Sequence, residues 1–492
     1  MKKLIVFLAL CIISYAAISS NIANVKKPEE INTKIFVMFR SEGRGHEADW
    51  DSQDMQRLLT NEEILNELEK RCKGIEFVGK TDVVDVKSSV EDFNMQKNID
   101  GIVVFGPPPE EFIKTGLPII TVFRMWQTWM SGFDFQRYKK EKILFYCVPM
   151  VRDREKSTFF ARMDGLAKKI RLIQAISQMD YRILSITDAS NFLGAYEGGS
   201  DEYAIVFKEN VAEIFGTEFK GIPQEELFNK IKEVNEQKAE NIAEKWIEGA
   251  YAMKNTNKTQ VIRSAKVYLA MKALKGKYNC DAVTAEGYGV FGSYKKGTIP
   301  SQGLAASQFS TDGILTPGET LIDCMLTQQI GYNFTGKGSF NGDYIVDPFL
   351  DIAIIGHCEC PLNILGDDAK NCTYSLRNLP YHKKNEGGAC IQVNLPVNKT
   401  VTMVKMSMYN KKIAISTGKA ISGEKLFSEW NQPGVSCRTK LAIKTNTKAL
   451  LENLDWETFL HHRVVFYGNY REEFKDLAKL IGFEVVEEDK NR

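Results

Sequence analysis

GIVVFGPPPEEFIKTGLPIITVF, residues 101–123, holds two short apolar runs, GIVVFG (101–106) and PIITVF (118–123), separated by a helix-length gap. Each run is rich in β-branched residues, bounded by Gly or Pro, and apolar throughout rather than alternating. That is the pattern of a strand buried on both faces of a sheet. KILFYCVPM (142–150) repeats it one gap later, and KIFVMF (34–39) precedes it. NEEILNELEKRC (61–72), between them, carries apolar residues at helical spacing. Strands alternating with helices predict βα units and a parallel sheet, and a first α/β domain over residues 34–180.

Working outward, a long helix is expected over about 157–178. RILSIT (182–187) and YAIVF (203–207) restart the alternation as strands, helices follow over about 224–254 and 258–274, and DAVTA (281–285) is a further strand. These make a second α/β domain over 181–345. After Asp347-Pro348 the character changes: DIAIIGHC, ACIQVNLP, TVTMVKMSMY, KKIAIST and CRTKLAI are strand-like runs separated by Gly, Asn and Lys turns, and REEFKDLAKLIG (471–482) is a closing helix. The expected fold class is α/β, with two Rossmann-like α/β domains followed by an antiparallel β-barrel-like C-terminal domain over 346–492.

The chain has 492 residues, too many for one core, and its 43% hydrophobic and 26% charged content is ordinary for a globular protein. A formal net charge of +1 gives no basic excess for binding nucleic acid. The first 23 residues read as a secretory signal peptide: Lys2 and Lys3, an apolar stretch Leu4 to Ile13, then small residues to Ala23. The mature chain is therefore expected to be exported, periplasmic or secreted, with no stable membrane insertion. Ten cysteines, one of them in the leader, are scattered rather than paired at short spacing, so they are not a disulfide scaffold. Cys358-Glu359-Cys360 lacks the second pair a structural zinc would need. Nucleophile-elbow, P-loop and H-E-x-x-H motifs are absent from the sequence.

The chemistry-bearing stretch is SQFSTDGILTPGETLIDCMLTQQIGYNFTGKGSFNGD, residues 307–343. It places Glu319 and Asp343 in Gly-rich turns on either side of an apolar helical segment. Hard divalent ions take such oxygens, with histidine completing the set. Only five histidines exist: His46, His357, His382, His461 and His462. Read singly, these residues have ordinary explanations. Glu319 suits the first turn of a helix, Asp343 a turn, His461-His462 a polar edge strand, Trp126 and Trp129 core or interface packing, and Arg438 a surface charge.

The order of these motifs resembles the L-fucose isomerase / L-arabinose isomerase superfamily. The shared features are S-x-x-x-x-[DE]-G-I-x-x-x-x-E from Ser307 to Glu319, an apolar helix, T-G-x(6)-D from Thr335 to Asp343, and His461-His462 before a strand, a Gly turn and a helix. GHCECP and PYHKKNEGGACIQVNLP lie between and are similar to the family's connecting segments. The sequence departs from the arabinose pattern at Gly342, where a glutamate would stand, so the second carboxylate is Asp343. His357 matches the arabinose-type second histidine, which makes the set mixed.

The resemblance implies an Mn²⁺-dependent aldose–ketose isomerase acting on a deoxy-sugar or pentose through an ene-diol. Glu319 and Asp343 would be catalytic residues and metal ligands and His462, preferred over His461, the third ligand. His357, His382, Glu386 and Trp126 would contact the small-molecule sugar. It also implies a homo-oligomer, trimer or hexamer, with the Trp126–Trp129 segment at the interface. A non-catalytic exported sugar-binding protein that retains the fold is the alternative, and a metal enzyme acting on a hydroxy acid or sugar derivative is a third.

Overall fold

The computed structural model describes residues 32–40, 60–124, 138, 140–148, 156–191, 193, 200–286, 301–314, 316–366, 371–378, 388–422 and 437–491. The expected signal segment, residues 1–23, and Trp126, Trp129, His46, His382 and Glu386 lie outside them. Among the described residues no helix is long and apolar enough to cross a membrane.

Five parallel strands form the first sheet: β1 (Thr33–Arg40), β2 (Ile75–Val84), β3 (Gly101–Phe105), β4 (Ile119–Arg124) and β5 (Ile143–Val148), in the order β2-β1-β3-β4-β5. All five residues of β3 are buried, as a strand covered on both faces must be. Helix α1 (Asn61–Arg71) starts at a capping box in which Thr60 and Glu63 satisfy each other's backbone N–H. Its Ile64 and Leu68 join Met163, Leu166, Ile170 and Ile173 of helix α3 (Lys156–Ser177) in the core under the sheet. Helix α2 (Val86–Met95) lies between β2 and β3.

A second parallel sheet, of three strands, has the order β7-β6-β9, from β6 (Arg182–Ile186), β7 (Glu218–Ile222) and β9 (Ala282–Ala285). YAIVF is not a strand but part of helix α4 (Asp201–Phe215). Ser200 caps its start, Gly216 ends it in the left-handed conformation, and Ala204, Phe207, Val211 and Phe215 bury one face at helical spacing. Five apolar residues were too few to reveal that period. The helix expected over 224–254 is two helices. Asn235 accepts a hydrogen bond from the N–H of Lys238 and so starts a new one, Glu236–Gly249, after Gln224–Glu233 has ended. Residues 252–254 then form a short strand, β8 (Ala252–Lys254). Helix α5 (Lys258–Lys277) follows, again from a capping box.

The remaining strands are β10 (Phe340–Asp347), β11 (Ile352–His357), β12 (Tyr374–Asn378), β13 (Ala389–Val393), β14 (Thr400–Ser407), β15 (Lys412–Ile421), β16 (Thr439–Lys444), β17 (His462–Tyr467) and β18 (Glu484–Glu487). Seven of them form a mixed sheet, β14-β17-β10-β11-β16-β15-β18, in which β14 also pairs with β15. β12 and β13 instead join β8 in a separate three-stranded sheet. β10 crosses residues 345 and 346, and its partners, β11 and β17, both belong to the seven-stranded sheet.

Three helices frame the segment of interest. α6 (Gly303–Thr311) precedes it, α7 (Ile322–Thr335) packs on β14 and β17, and α8 (Arg471–Ile481) covers β15. Gly342 fixes how closely β10 approaches β11. A Cβ there would lie 2.6 Å from the carbonyl oxygen of Gly356, whereas one at Gly356 would meet nothing nearer than 3.8 Å. The glutamate of the arabinose pattern is thus excluded at 342 by backbone, not by chemistry. Gly342→Ala should cost about 1–3 kcal/mol through overpacking, lowering the midpoint of thermal unfolding by several degrees, while Gly356→Ala stays near wild type. Equal melting curves for the two variants would show that the strands can part without cost.

Candidate metal centre

The S-x-x-x-x-D-G-I motif turns out to be scaffold. Ser307 donates to the carbonyl of Gly303 and accepts from the N–H of Cys360. Asp312 ends α6, accepting from Gln308 and from the hydroxyl of Tyr268. Together they fix the end of α6 against the Cys358–Cys360 segment. The chain then reverses through Thr316-Pro317-Gly318, and the hydroxyl of Thr284 at the end of β9 holds the carbonyl of Pro317 at 2.7 Å.

Glu319 is not in the first turn of a helix. It sits in a short 3₁₀ turn before α7, with φ +69°, and Thr320 follows at φ +53°. Two successive non-glycine residues in the left-handed region are costly and need surrounding structure to hold them. Gly318 supplies part of that support. Its N–H is shared between both carboxylate oxygens of Glu359, at 2.8 and 2.9 Å, and a Cβ on it would lie 2.7 Å from Glu359 Oε2.

The seven-stranded sheet brings up the other donors. Asp343 on β10 stands directly opposite His462 on β17 and Gly356 on β11, and His357 ends β11. Donor atoms of Glu319, His357 and His462 all lie within 4.8 Å of one another, and so do those of Asp343, His461 and His462. His462 therefore belongs to both groups. His462 Nε2 is 3.6 Å from Asp343 Oδ1 and His461 Nε2 is 3.7 Å from it. The fold brings Glu319, His357 and His462 together in the interior, with Asp343 and His461 at the more open side, where the Asp343 side chain is 45% exposed. Asp323, on α7, serves the scaffold instead, accepting from the N–H of Met408.

Burial sets the electrostatics. It pushes the Glu319 carboxyl up to about 8, with Asp343 and Glu359 adding to the rise and His357 opposing it. Burial likewise raises Asp343 and Glu359. For His357 burial opposes the charged ring, but Glu359, Glu319 and Asp343 outweigh it and raise the group to about 9. His462 goes the other way: burial, then His357 and His461, hold it well below the usual imidazole range, so it is neutral. Neutral His462 is buried, yet neither Nδ1 nor Nε2 has a hydrogen-bond partner, and His357 Nδ1 has none either. Orphaned buried nitrogens are expensive. One nitrogen of the neutral His462 ring keeps a lone pair, and with a carboxylate and a second imidazole within 4.8 Å it fits a bound cation. Two imidazoles with one or two carboxylates suit a borderline or hard divalent ion.

Glu359 also belongs to this arrangement, although the sequence reading takes Cys358-Glu359-Cys360 only as a C-x-C without the second pair of a zinc site and gives its carboxylate no role. Its Oε1 lies 3.6 Å from His357 Nδ1, it accepts from Asn341 Nδ2 at 3.2 Å, and it tethers Gly318. It orients both a ligand histidine and the Glu319 turn, the outer-shell role that fixes such sites. The sequence signal was a carboxylate inside an otherwise apolar strand end, GHCECP. Arg438 is not a surface charge; it is 1% exposed. All nine cysteines among the described residues are free, and Cys358, Cys390 and Cys437 pack together beside Asp343. Compared with known proteins, the chain matches no family and no curated protein.

Proposed function

We propose that the protein is a metal-dependent aldose–ketose isomerase. The observation that carries this reading is the convergence of Glu319, His357 and His462, with Asp343 one strand position from His462. Glu319, His357 and His462 would hold the ion, Asp343 would join them from the open side, and Mn²⁺ is the proposed metal. When bound, that ion would polarise two neighbouring sugar oxygens and offset the negative charge that develops on them.

The chain's own residues account for the proton traffic. Isomerisation removes a proton from the carbon beside the carbonyl and returns it to the neighbouring carbon, through an ene-diol. Glu319, in a dry turn, is the group to take and return it. Burial holds it near neutrality, where a general base works best at physiological pH. Asp343, half-exposed, would relay the hydroxyl proton between the two oxygens. His461 shares its carboxylate and would steady it. Glu359 would keep His357 aimed at the ion. The pairing of β14 with β15 supports reading the seven-stranded sheet as a closed barrel with β18 at its side, which would hold β10, β11 and β17 rigidly in register. A homo-oligomer and export also belong to this proposal.

The test is loss of deuterium from C2-labelled aldoses in the presence of Mn²⁺. Binding of sugars without any exchange across a broad panel would replace the enzyme with the sugar-binding alternative. Metal uptake gives a second expectation. At pH 7 His357 and Glu319 lie below their pKa values of about 9 and about 8 and carry protons that a ligand must lose. Affinity for Mn²⁺ should therefore rise with pH, by up to about tenfold per unit for each proton displaced, and level off near pH 9. Calorimetry in buffers of different ionisation enthalpy counts the released protons; uptake with no proton release would place the ion elsewhere.

A further inference from the structure

The register that sets Asp343 beside His462 extends two strands further. His462, Asp343, Gly356 and Lys440 stand opposite one another on β17, β10, β11 and β16. Directly opposed residues of antiparallel strands point to the same face, so the row runs from a metal-ligand histidine to an ammonium group. Gly356 leaves a bare stretch of strand in the middle. A Cβ there would find Lys440 Cγ at 3.8 Å and the carbonyl oxygen of Thr439 at 3.9 Å, so packing does not demand a glycine. From Asp343 to Lys440 is two strand spacings, about 10 Å, the reach of an extended pentose or hexose with a group at its far end.

What lies at that end is cationic and buried. Arg438, in the bend just before β16 and close enough for its charge to act on Lys440, is 1% exposed, and Arg377 on β12 is 7% exposed. Arg438 donates through Nε to the carbonyl of Asn378 at 3.0 Å and through Nη2 to its side-chain oxygen at 3.1 Å, while Nη1 has no partner. Arg377 donates to Gln392 Oε1, and its Nε has no partner. Among the described residues no carboxylate pairs with either guanidinium, although burial and the neighbouring Arg438 charge already hold Arg377 below its ordinary range. Lys440 is lowered to about 8, chiefly by burial, with Arg438 and Arg377 adding to the effect. Among the described residues, two buried guanidiniums thus keep a nitrogen, Arg438 Nη1 and Arg377 Nε, without a partner. Guanidinium groups do not shed their proton, and an uncompensated buried charge costs several kcal/mol. A site arranged this way is completed by an anion from outside.

We propose that Arg438, Arg377 and Lys440 form a subsite for a terminal oxyanion, so that the ligand is an acidic sugar, a carboxylate- or phosphate-bearing aldose rather than a neutral one. The position of this subsite relative to a sugar rests on the isomerase reading. Arginine forks suit either oxyanion by bidentate hydrogen bonding.

The experiment measures equilibrium binding by calorimetry, so that turnover is not needed. The probes are glucitol, glucitol 6-phosphate and gluconate, open-chain compounds that differ in the terminal anion. In the Mn²⁺-loaded protein at least one anionic probe should bind at least about tenfold more tightly than glucitol. Whichever of the two is favoured tells phosphate from carboxylate. Arg438→Gln should bring that ratio close to one, and Arg377→Gln should reduce it. If Arg438→Gln does not fold, Lys440→Gln, at a partly exposed position, should lower the ratio in the same assay. Because gluconate could bind an ion directly, the preference must also persist in Glu319→Gln. Equal affinity of neutral and anionic probes, or a preference that survives the arginine and lysine substitutions, overturns the subsite. The two readings fail separately. An anion preference without label exchange from any aldose leaves the subsite and removes the isomerase. Exchange on neutral sugars without an anion preference does the reverse.

Discussion

Glu319→Gln is expected to lower label exchange from a C2-deuterated aldose at least a hundredfold, since general-base catalysis alone contributes about 10²–10⁴-fold. The substitution keeps the side chain's size and leaves the backbone turn in place. It removes a proton acceptor that burial has brought to about 8, and one anionic donor facing His357 and His462. Mn²⁺ affinity should fall with it, while the thermal unfolding midpoint stays close to wild type or rises, because a buried carboxyl with raised pKa is itself a cost to the apo fold. Exchange within a few-fold of wild type would remove Glu319 from the chemistry altogether. Loss of exchange with unchanged Mn²⁺ affinity would keep it as the base and strike it from the ligands.

The largest effect on stability is expected one residue past His462. Arg463 and Glu488 are both fully buried and face each other at 2.7 Å. The guanidinium also donates to the carbonyls of Leu460 and His462, at 3.1 and 2.8 Å, and lies over the ring of Tyr344 at 5.0 Å. Arg463→Leu leaves the Glu488 carboxylate uncompensated in the interior, which should cost about 3–5 kcal/mol and lower the unfolding midpoint by roughly 10 °C. The double variant Arg463→Leu with Glu488→Leu should recover most of that loss, since an apolar pair is often as stable as a buried ion pair. A double variant no better than the single one would mean that the hydrogen bonds to the Leu460 and His462 carbonyls, rather than the charge, hold this corner. Mn²⁺ binding should suffer in the single variant even below its unfolding temperature, because the same guanidinium anchors the carbonyl of His462.

Much of this architecture is readable from residues alone. Short apolar runs mark β1, β3, β4 and β5, with Gly or Pro at the ends of the last three, since strands covered on both faces need no alternation. Gly336 at the end of α7 and Gly482 at the end of α8 announce those ends because only glycine takes the left-handed cap cheaply. YAIVF misleads because five residues cannot distinguish a period of two from one of 3.6. The pairing of β12 with β8, residues 375–377 against 252–254, leaves no local trace, since nothing near either strand encodes a partner so far along the chain. Within the site, Glu319, Asp343, His357 and His462 are legible as an ordered set. What the sequence could not convey is their grouping, with His462 shared and Asp343 to one side, because that follows from strand register. Glu359, Asn341 and the buried state of Arg438 escaped for a related reason: burial is a property of the assembled sheet, and a charged residue carries the same letter inside and out.

The four donors come from residues 319, 343, 357 and 462, and three of them ride on neighbouring strands of one sheet. His462 meets Asp343 only when β17, the last strand but one, has inserted between β10 and β14. A chain still being synthesised, or cut short before residue 462, lacks the centre however well its first sheet has formed. On the proposed reading, capture of an ion would thus be a late event in the life of each molecule. In a refolding experiment it should trail the recovery of helical signal, because loop closure over such distances is slow. Such a centre would act as a completion mark: an ion in place would certify that the longest-range strand pairings among the described residues have been made.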